Sequence, residues 1–381
     1  MQNDTYAQHP RLVDFVVGTQ YGDEGKGMVA KLMADIAELN GDPYEWTARV
    51  GAQNAEHRFV HQACDLCARI LPSAAAFRPN IRAVLGAGHC FKPEQLLLEA
   101  VHLGVPIERI WVDSLAMWLK DSHAVSNRER GDKRGTTGWG IGSATAEKVA
   151  RAPETQLMRD CEELQKLLSN RLRQIGPVLN TEFAGRGLFE GSQGFMLSLN
   201  HGRYPYSTAK DVTITNMASE LGLGHKRFGT VTGVVRLVFM RVSGPSGPTG
   251  GNELSYDEVE RRTGLRFPNH KRLQGDSMKW TSTAGRADGV TDEERLFDLS
   301  MEELIYSHSV NNYDQLAVTF CDMHREGNYR VRDWNDLHID TRAMIKRIED
   351  ELNVPVVLVR TGQGEHDNIW RPTKEGLILP Q

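Results

Sequence analysis

Residues 18–27 read GTQYGDEGKG and carry the densest run of chemistry in the chain. Glycines there let backbone N–H groups approach phosphate oxygens, and a helix opening at the end of the run adds partial positive charge at its N-terminus. Lys26 is placed to neutralise a phosphate. Gly27 stands where a Walker A loop needs Ser or Thr, so this is a different kind of phosphate loop. Asp23 and Glu24 would repel phosphate unless one of them is catalytic or binds magnesium. A glycine-rich turn alone is more often structural, but an embedded acid pair beside a lysine points to chemistry.

Elements must hold these groups. The apolar run 12–17 (LVDFVV) reads as a buried strand feeding the glycine loop, and Gly25 to Ile36 has helical spacing. Further strands are expected at 81–85, 107–112, 186–189, 230–239, 315–320 and 354–359. Amphipathic helices are expected at 94–103, 156–175, 211–222, 255–263, 301–310 and 340–352. This alternation predicts an α/β fold: a mostly parallel central sheet with helices on both faces and long ligand-binding loops. The stretch 243–252 (SGPSGPTGGN) reads as such a loop, as do 121–136 and 264–294. No repeat or linker divides the chain, so residues 11–381 are expected to form one catalytic domain behind a disordered tail, 1–10.

Composition narrows the class. With 381 residues, 40% hydrophobic and 25% charged, the chain resembles a soluble globular protein. No apolar run reaches the ~18 residues of a membrane span, and MQNDTYAQHP lacks the apolar centre of a signal peptide. A net charge of −5 argues against broad nucleic-acid binding. Five cysteines suggest a reducing cytoplasm rather than a disulfide framework. Cys64 and Cys67 form a C-x-x-C pair near His61, His89 and Cys90, but no second pair has zinc spacing, so reduced, partly buried thiols are expected.

The motifs carry a resemblance. GDEGKG after a first strand is similar to the signature loop of the adenylosuccinate synthetase family. That family's N-A-G-H is matched by NAEH, and its G-T-T-G-x-G-I-G and K-V-A-R by GTTGWGIGSATAEKVAR at 135–151. F-E-G-x-Q-G and H-G-x-Y-P-Y-x-T are matched by FEGSQGFMLSLNHGRYPYST at 189–208. TSTAGR at 281–286 mirrors the aspartate loop, and the I-K-R-I-E, V-P and T-G pattern falls at 345–362. The blocks run in family order over nearly the whole chain.

The resemblance implies a ligase that condenses L-aspartate with C6 of a purine nucleotide through a 6-phosphoryl intermediate. Asp23 would remove the N1 proton, and His57 would act at the six-oxygen. Gly22, Glu24, Gly25, Lys26, Gly27, Arg58, Phe320, Asp322, Thr361 and Gly362 would face the triphosphate. Asp23, Asn54, Thr137, Arg151, Gln193, Thr208 and Arg286 would hold the monophosphate nucleotide, Arg151 reaching across from a second copy of a homodimer. Ser282, Thr283, Ala284, Arg286 and Asp288 would form the aspartate loop, with Arg295 a candidate for a missing cation. Lys148 would support the acceptor loop. Magnesium would sit on Asp23 and residue 56, where Glu56 replaces the family's glycine and offers a backbone carbonyl or a carboxylate.

Substrate choice departs from the conventional pattern. The family reads guanine with T-K-L-D, whereas residues 319–322 read TFCD. An aromatic ring stacks on any purine, so ATP or dATP becomes an expected donor. RVSGPSGPTGGNEL replaces the usual R-V-G-x-G-P-F-P-T-E, and the chain is short for the family. Both features resemble the bacteriophage branch that converts dGMP to the succino-adduct of 2-amino-2′-deoxyadenylate, which would act in the host cytoplasm. The alternatives are a conventional synthetase using inosine monophosphate and GTP, and a nucleotide-binding homologue without turnover. A P-loop kinase or GTPase switch is disfavoured by Gly27.

Overall fold

The computed structural model describes residues 12–62, 64–129, 138–241, 246–265 and 295–372. Its centre is a sheet of ten strands in the order Asn368–Trp370, Val356–Arg360, Gln315–Thr319, Phe228–Arg236, Val13–Gly18, Gly187–Gly194, Trp46–Arg49, Arg82–Leu85, Ile110–Asp113 and Leu172–Arg173. All neighbours pair in parallel except the edge strand Asn368–Trp370. A parallel sheet covered on both faces needs apolar residues on both sides of each strand. Val13–Gly18, called β1, meets that need, being buried at every position. Val13, Phe15 and Val17 join one apolar layer and Val16 the other. Phe15 and Phe189 are fully buried against each other across neighbouring strands, a burial worth roughly 2–3 kcal/mol per ring.

The order reverses at β1. Five strands lie on its Gly187–Gly194 side and four on its Phe228–Arg236 side. Loops at the carboxyl ends of strands flanking such a switch point open a crevice, which is where open α/β sheets take ligands. The glycine loop leaves β1 into this crevice and opens the first helix, α1 (Lys26–Leu39), which packs Met28, Val29, Leu32 and Ile36 inward.

Most expected elements are present at nearly the expected bounds. Two expectations are corrected. Residues 156–175 do not form one helix: the helix is Glu162–Leu168, Ser169 takes a positive φ of 52°, and Leu172–Arg173 pairs as an edge strand with Val112–Asp113. Residues 121–136 are not loop throughout, because Asp121–Glu129 is helical. Strands Trp46–Arg49, β2 here, and the hairpin of β3 (His57–His61) with β4 (Cys64–Ala68) are additional. No helix among the described residues is long and apolar enough to cross a membrane.

Candidate active site

The glycine loop is braced from within. Glu24 is fully buried; its carboxylate accepts from the backbone N–H of Gln20 and Gly22 at 3.1 and 3.0 Å and from Lys26 Nζ at 2.5 Å. A Cβ on Gly18 would come within 2.5 Å of that carboxylate, so the strand end must be glycine. Gly22, Asp23 and Gly25 have φ of 92°, 55° and 83°. Alternating left-handed residues turn successive N–H groups to one side, a concavity suited to phosphate. Gly25 caps α1 without a side-chain bond, leaving the helix start for an anion. Glu24 is therefore the internal strut of the loop, and Lys26, itself buried, is paired to it.

Asp23 is exposed to the crevice, with protein on all sides beyond the opening. Those surroundings push its carboxyl above the ordinary range, Arg236 and Lys26 oppose the shift, and Glu24 and Glu56 add to it. Water in the crevice screens this push. His57 arrives from β3. A Cβ on Gly27 would lie 2.9 Å from His57 Cβ, so the glycine loop and residue 57 share one cleft wall.

The imidazole is held from behind. His57 Nδ1 pairs with Glu190 Oε1, while Ser73 donates to Glu190 through its N–H at 2.7 Å and its hydroxyl at 2.8 Å. Burial raises the Glu190 carboxyl, but His57, Arg49 and Ser73 outweigh it and hold the group below its usual range. With Glu190 ionised, Nδ1 carries the proton and Nε2 is left as the acceptor. Burial and Arg49 push the His57 pKa down to about 4, although Glu190 pulls the other way. Arg49, fully buried, donates to Ser192 Oγ at 3.0 Å and to the Ala55 carbonyl at 2.8 Å, pinning the NAEH turn.

Glu56 is not an open carboxylate. One oxygen accepts from Arg58 Nε at 2.7 Å and the other from Arg69 Nη2 at 2.5 Å. Burial pushes its carboxyl up, and the two arginines bring it below the usual range. Arg58 is thus engaged with Glu56, and also lies 3.9 Å from Asp65.

Across the crevice, Phe320 follows Gln315–Thr319 with φ 55°. Its ring packs on the glycine loop, 3.4 Å from a Cβ built on Gly25, and is covered on one face by the Arg236 guanidinium at 3.6 Å. Burial pushes Asp322 up to about 6 against Arg236 and Arg360. Thr361 is buried, its hydroxyl donating to Val331 O at 2.7 Å, and the Gly362 carbonyl accepts from Arg360 Nη2 at 2.9 Å.

Gln193 takes φ 65° at the end of its strand, beside Gly18. Thr208 and Asn54 are half-buried. Arg151 is exposed at the left-handed end of helix Ile141–Ala150. Lys148 Nζ donates to the carbonyls of Ala87 and Leu115 at 3.0 and 2.7 Å and so ties two loops together. Arg295 is engaged with both oxygens of Glu253, at 2.8 and 2.6 Å, and with the Gly247 carbonyl at 2.7 Å. Thr137, Ser282, Thr283, Ala284, Arg286 and Asp288 lie outside the described residues. Of the C-x-x-C pair, Cys64 is exposed and Cys67 buried, both as free thiols. Sequence reasoning missed Arg49, Glu190 and Arg236. The E of FEGSQG was a signal for Glu190; the arginines read as ordinary charges in apolar runs.

Comparison with known proteins agrees with this geometry. The family model for adenylosuccinate synthetase matches residues 15–183 and 153–327. An adenylosuccinate synthetase of Pyrococcus sp. (strain ST700) is 33% identical over 91% of this chain and 95% of its own. That of Archaeoglobus fulgidus is 31% identical over 91% and 94%. Among solved structures, the fully ligated adenylosuccinate synthetase of Plasmodium falciparum superposes with TM-score 0.75 at 21% identity, covering 94% of this chain and 99% of that one. A cyanophage S-2L succinoaminodeoxyadenylate synthetase, bound to dGMP and to dATP as energy donor, gives 0.74 at 24% identity and 97% of each chain. These two likenesses establish the fold. A buried acid–imidazole pair beside a phosphate loop, on a chain matched over most of its length, places this protein in the adenylosuccinate synthetase family, C–N ligases that condense aspartate with a purine nucleotide.

Proposed function

We propose that the acceptor is dGMP and the phosphoryl donor ATP or dATP, so that the product is N6-succino-2-amino-2′-deoxyadenylate. The observation that carries this reading is Phe320 at the donor-base position, an aromatic platform where the conventional family has lysine. A ring without a hydrogen-bonding end stacks on adenine as well as on guanine. The altered loop after Arg241 and the fold shared with a phage enzyme that takes dGMP and dATP point the same way.

The chemistry follows from the cleft. Guanine, like hypoxanthine, has an N1 proton next to a six-oxygen. Asp23 takes that proton, negative charge moves onto the oxygen, and the oxygen attacks the γ-phosphorus, whose bond to the β-phosphate oxygen breaks to release the nucleoside diphosphate. The Asp23 carboxylate, with two oxygens, could also accept from the two-amino group. The six-phosphate is then a good leaving group: the amine of L-aspartate bonds to C6, phosphate departs with the C–O electron pair, and the proton shed by the new C–N nitrogen is taken up by the departing phosphate. His57, neutral in the free protein, gains affinity for a proton once an anionic phosphate lies at Nε2. Glu190 stabilises the imidazolium that results.

Magnesium fits the donor set. Asp23 opens to the crevice with a hard carboxylate, and no cluster of three protein ligands exists among the described residues, so an ion would complete its shell from phosphates and water. Asp23 and the Glu56 backbone carbonyl would hold it, since the Glu56 carboxylate is taken by two arginines. Bound there, it neutralises phosphate charge. Residues 11–381 act as one catalytic unit, paired as a homodimer in which Arg151 serves the neighbouring acceptor site.

The second reading, inosine monophosphate with GTP, is favoured by the archaeal relatives named adenylosuccinate synthetase. A matrix of inosine monophosphate, GMP and dGMP against ATP, dATP and GTP, each with aspartate, decides between them. The dGMP column should turn over best with ATP or dATP. Preference for inosine monophosphate with GTP would discard the proposal.

A further inference from the structure

Arg236 ends its strand at the bottom of the crevice and is buried to 2% exposure. Its backbone is clamped to the glycine loop, with Gln20 Oε1 accepting from its N–H at 2.8 Å and Gln20 Nε2 donating to its carbonyl at 2.9 Å. Its guanidinium donates through Nη1 to the Asp23 carbonyl at 2.9 Å and through Nη2 to Met323 Sδ at 3.0 Å, while its face lies on the Phe320 ring. Asp23 and Phe320 both have φ 55°. Left-handed backbone is costly for a bulky aromatic and persists only where the surroundings over-determine it. One planar side chain is bound to both strained residues, one on the acceptor side and one on the donor side.

We propose that Arg236 is a positioning residue that sets the general base and the donor-base platform relative to each other, so that donor binding and base orientation depend on the same guanidinium. This rests on reading Phe320 as the donor platform. Arginine is required because its in-plane N–H groups reach the Asp23 carbonyl while its face stacks; a lysine offers a point charge and does one or the other. The pair also explains why the family lysine is absent at 320. An ammonium there would lie against a buried guanidinium, cation on cation.

Purified Arg236→Met, Arg236→Lys, Phe320→Leu and the Arg236→Met/Phe320→Leu double variant test this, with donor and acceptor concentrations varied separately. Arg236→Met is expected to lose at least ~30-fold in kcat and to raise the donor KM at least ~10-fold, and the double variant is expected to be no worse, since the two side chains act as a unit. Arg236→Lys should recover kcat to within about 5-fold through the retained bond to Asp23 while the donor KM stays high, and Phe320→Leu should change KM alone. Folded Arg236→Met with kcat within about 3-fold of the parent, additive losses in the double variant, or a lysine variant that restores the donor KM would overturn the proposal. Calorimetry with ATP reads the donor side without turnover: unchanged affinity in both Arg236→Met and Phe320→Leu also overturns it. The kinetic arms use whichever acceptor the parent enzyme prefers, so a parent that rejects dGMP discards the acceptor assignment and leaves the Arg236 result readable.

Discussion

Glu190 fixes which nitrogen of His57 carries a proton, and that choice decides what the imidazole offers the cleft. Asp23→Asn and His57→Ala are each expected to lower kcat at least ~100-fold, the usual scale of acid–base contributions, with monophosphate binding retained. Near-normal turnover would remove either residue from the mechanism. Glu190→Gln should cost about 10-fold or more in kcat, because a neutral amide no longer stabilises the imidazolium. A kcat unchanged in that variant would show Glu190 to be packing alone. The histidines also govern acid stability. Burial lowers His57 from 6.5 to about 4, and burial with Arg325 does the same to His324. Between those values the unfolded chain binds protons that the folded protein refuses. Their stabilisation is complete above about pH 6.5 and is lost as pH falls toward 4, on the order of 3 kcal/mol for each. Asp322 opposes this: raised to about 6, its folded carboxyl keeps a proton that the unfolded chain releases, so its contribution fades as pH rises through 6. Burial also lowers His89 and His308, which act with them. It raises Glu99, and the protein around the crevice raises Asp23, both of which act with Asp322. With the histidines dominant, stability should fall as pH drops from 6.5 to 4. His324→Asn, which removes one of them, should flatten that slope; an unaltered slope would refute the assignment.

The contact between α1 and β3 is what brings loop and imidazole together, and Gly27 is its closest point. An added Cβ would meet His57 Cβ and Ser73 Oγ at 2.9 Å and the Arg58 carbonyl at 3.2 Å, all parts of the site or its support. Gly27→Ala should therefore cost about 1–3 kcal/mol of stability by overpacking and lower kcat as β3 moves away, while Gly41→Ala, with nothing within 4 Å but a φ of 70°, should cost stability through backbone strain alone and leave kcat unchanged. Equal kcat in the two variants would dismiss the contact. This juxtaposition was only half legible in the sequence. Strands with continuous apolar runs, such as 12–17 and 354–359, were read correctly because burial on both faces writes itself as hydropathy. β2, which carries Arg49, and the β3–β4 hairpin, with its histidines and cysteines, were hidden because their polar side chains are satisfied by tertiary partners that a local pattern does not record. The helix expected at 156–175 failed for the opposite reason. Leu164 and Leu168 keep helical spacing, but the positive φ at Ser169 and the pairing of Leu172–Arg173 end the helix where no proline or glycine announces it. The motifs located Asp23, His57, Gln193 and Phe320 without revealing that Arg236 joins two of them.

At the scale of the whole molecule, the sheet brings the glycine loop, the His57 imidazole and the Phe320 ring together, while Arg151 faces solvent. It is exposed at the end of Ile141–Ala150, in a left-handed conformation that turns the chain away from the helix. A guanidinium intended for a monophosphate gains little in bulk water, where an exposed ion pair is worth only ~0–1 kcal/mol. In the proposed homodimer it would become effective once a second copy closed over it. Closed two-fold pairing makes a sharp prediction for mixed subunits. Take Asp23→Asn and Arg151→Leu proteins, each inactive alone, then unfold and refold them together in equal amounts. If Arg151 serves the opposite subunit, each mixed dimer holds one site with both residues intact and one with neither. Half of the dimers are mixed, so activity should return to roughly a quarter of the parent value. If Arg151 serves its own subunit, every site in the mixture lacks one residue and activity stays at the level of the separate variants. Titrating the subunit ratio sharpens the distinction, because only complementation gives a maximum at equal amounts.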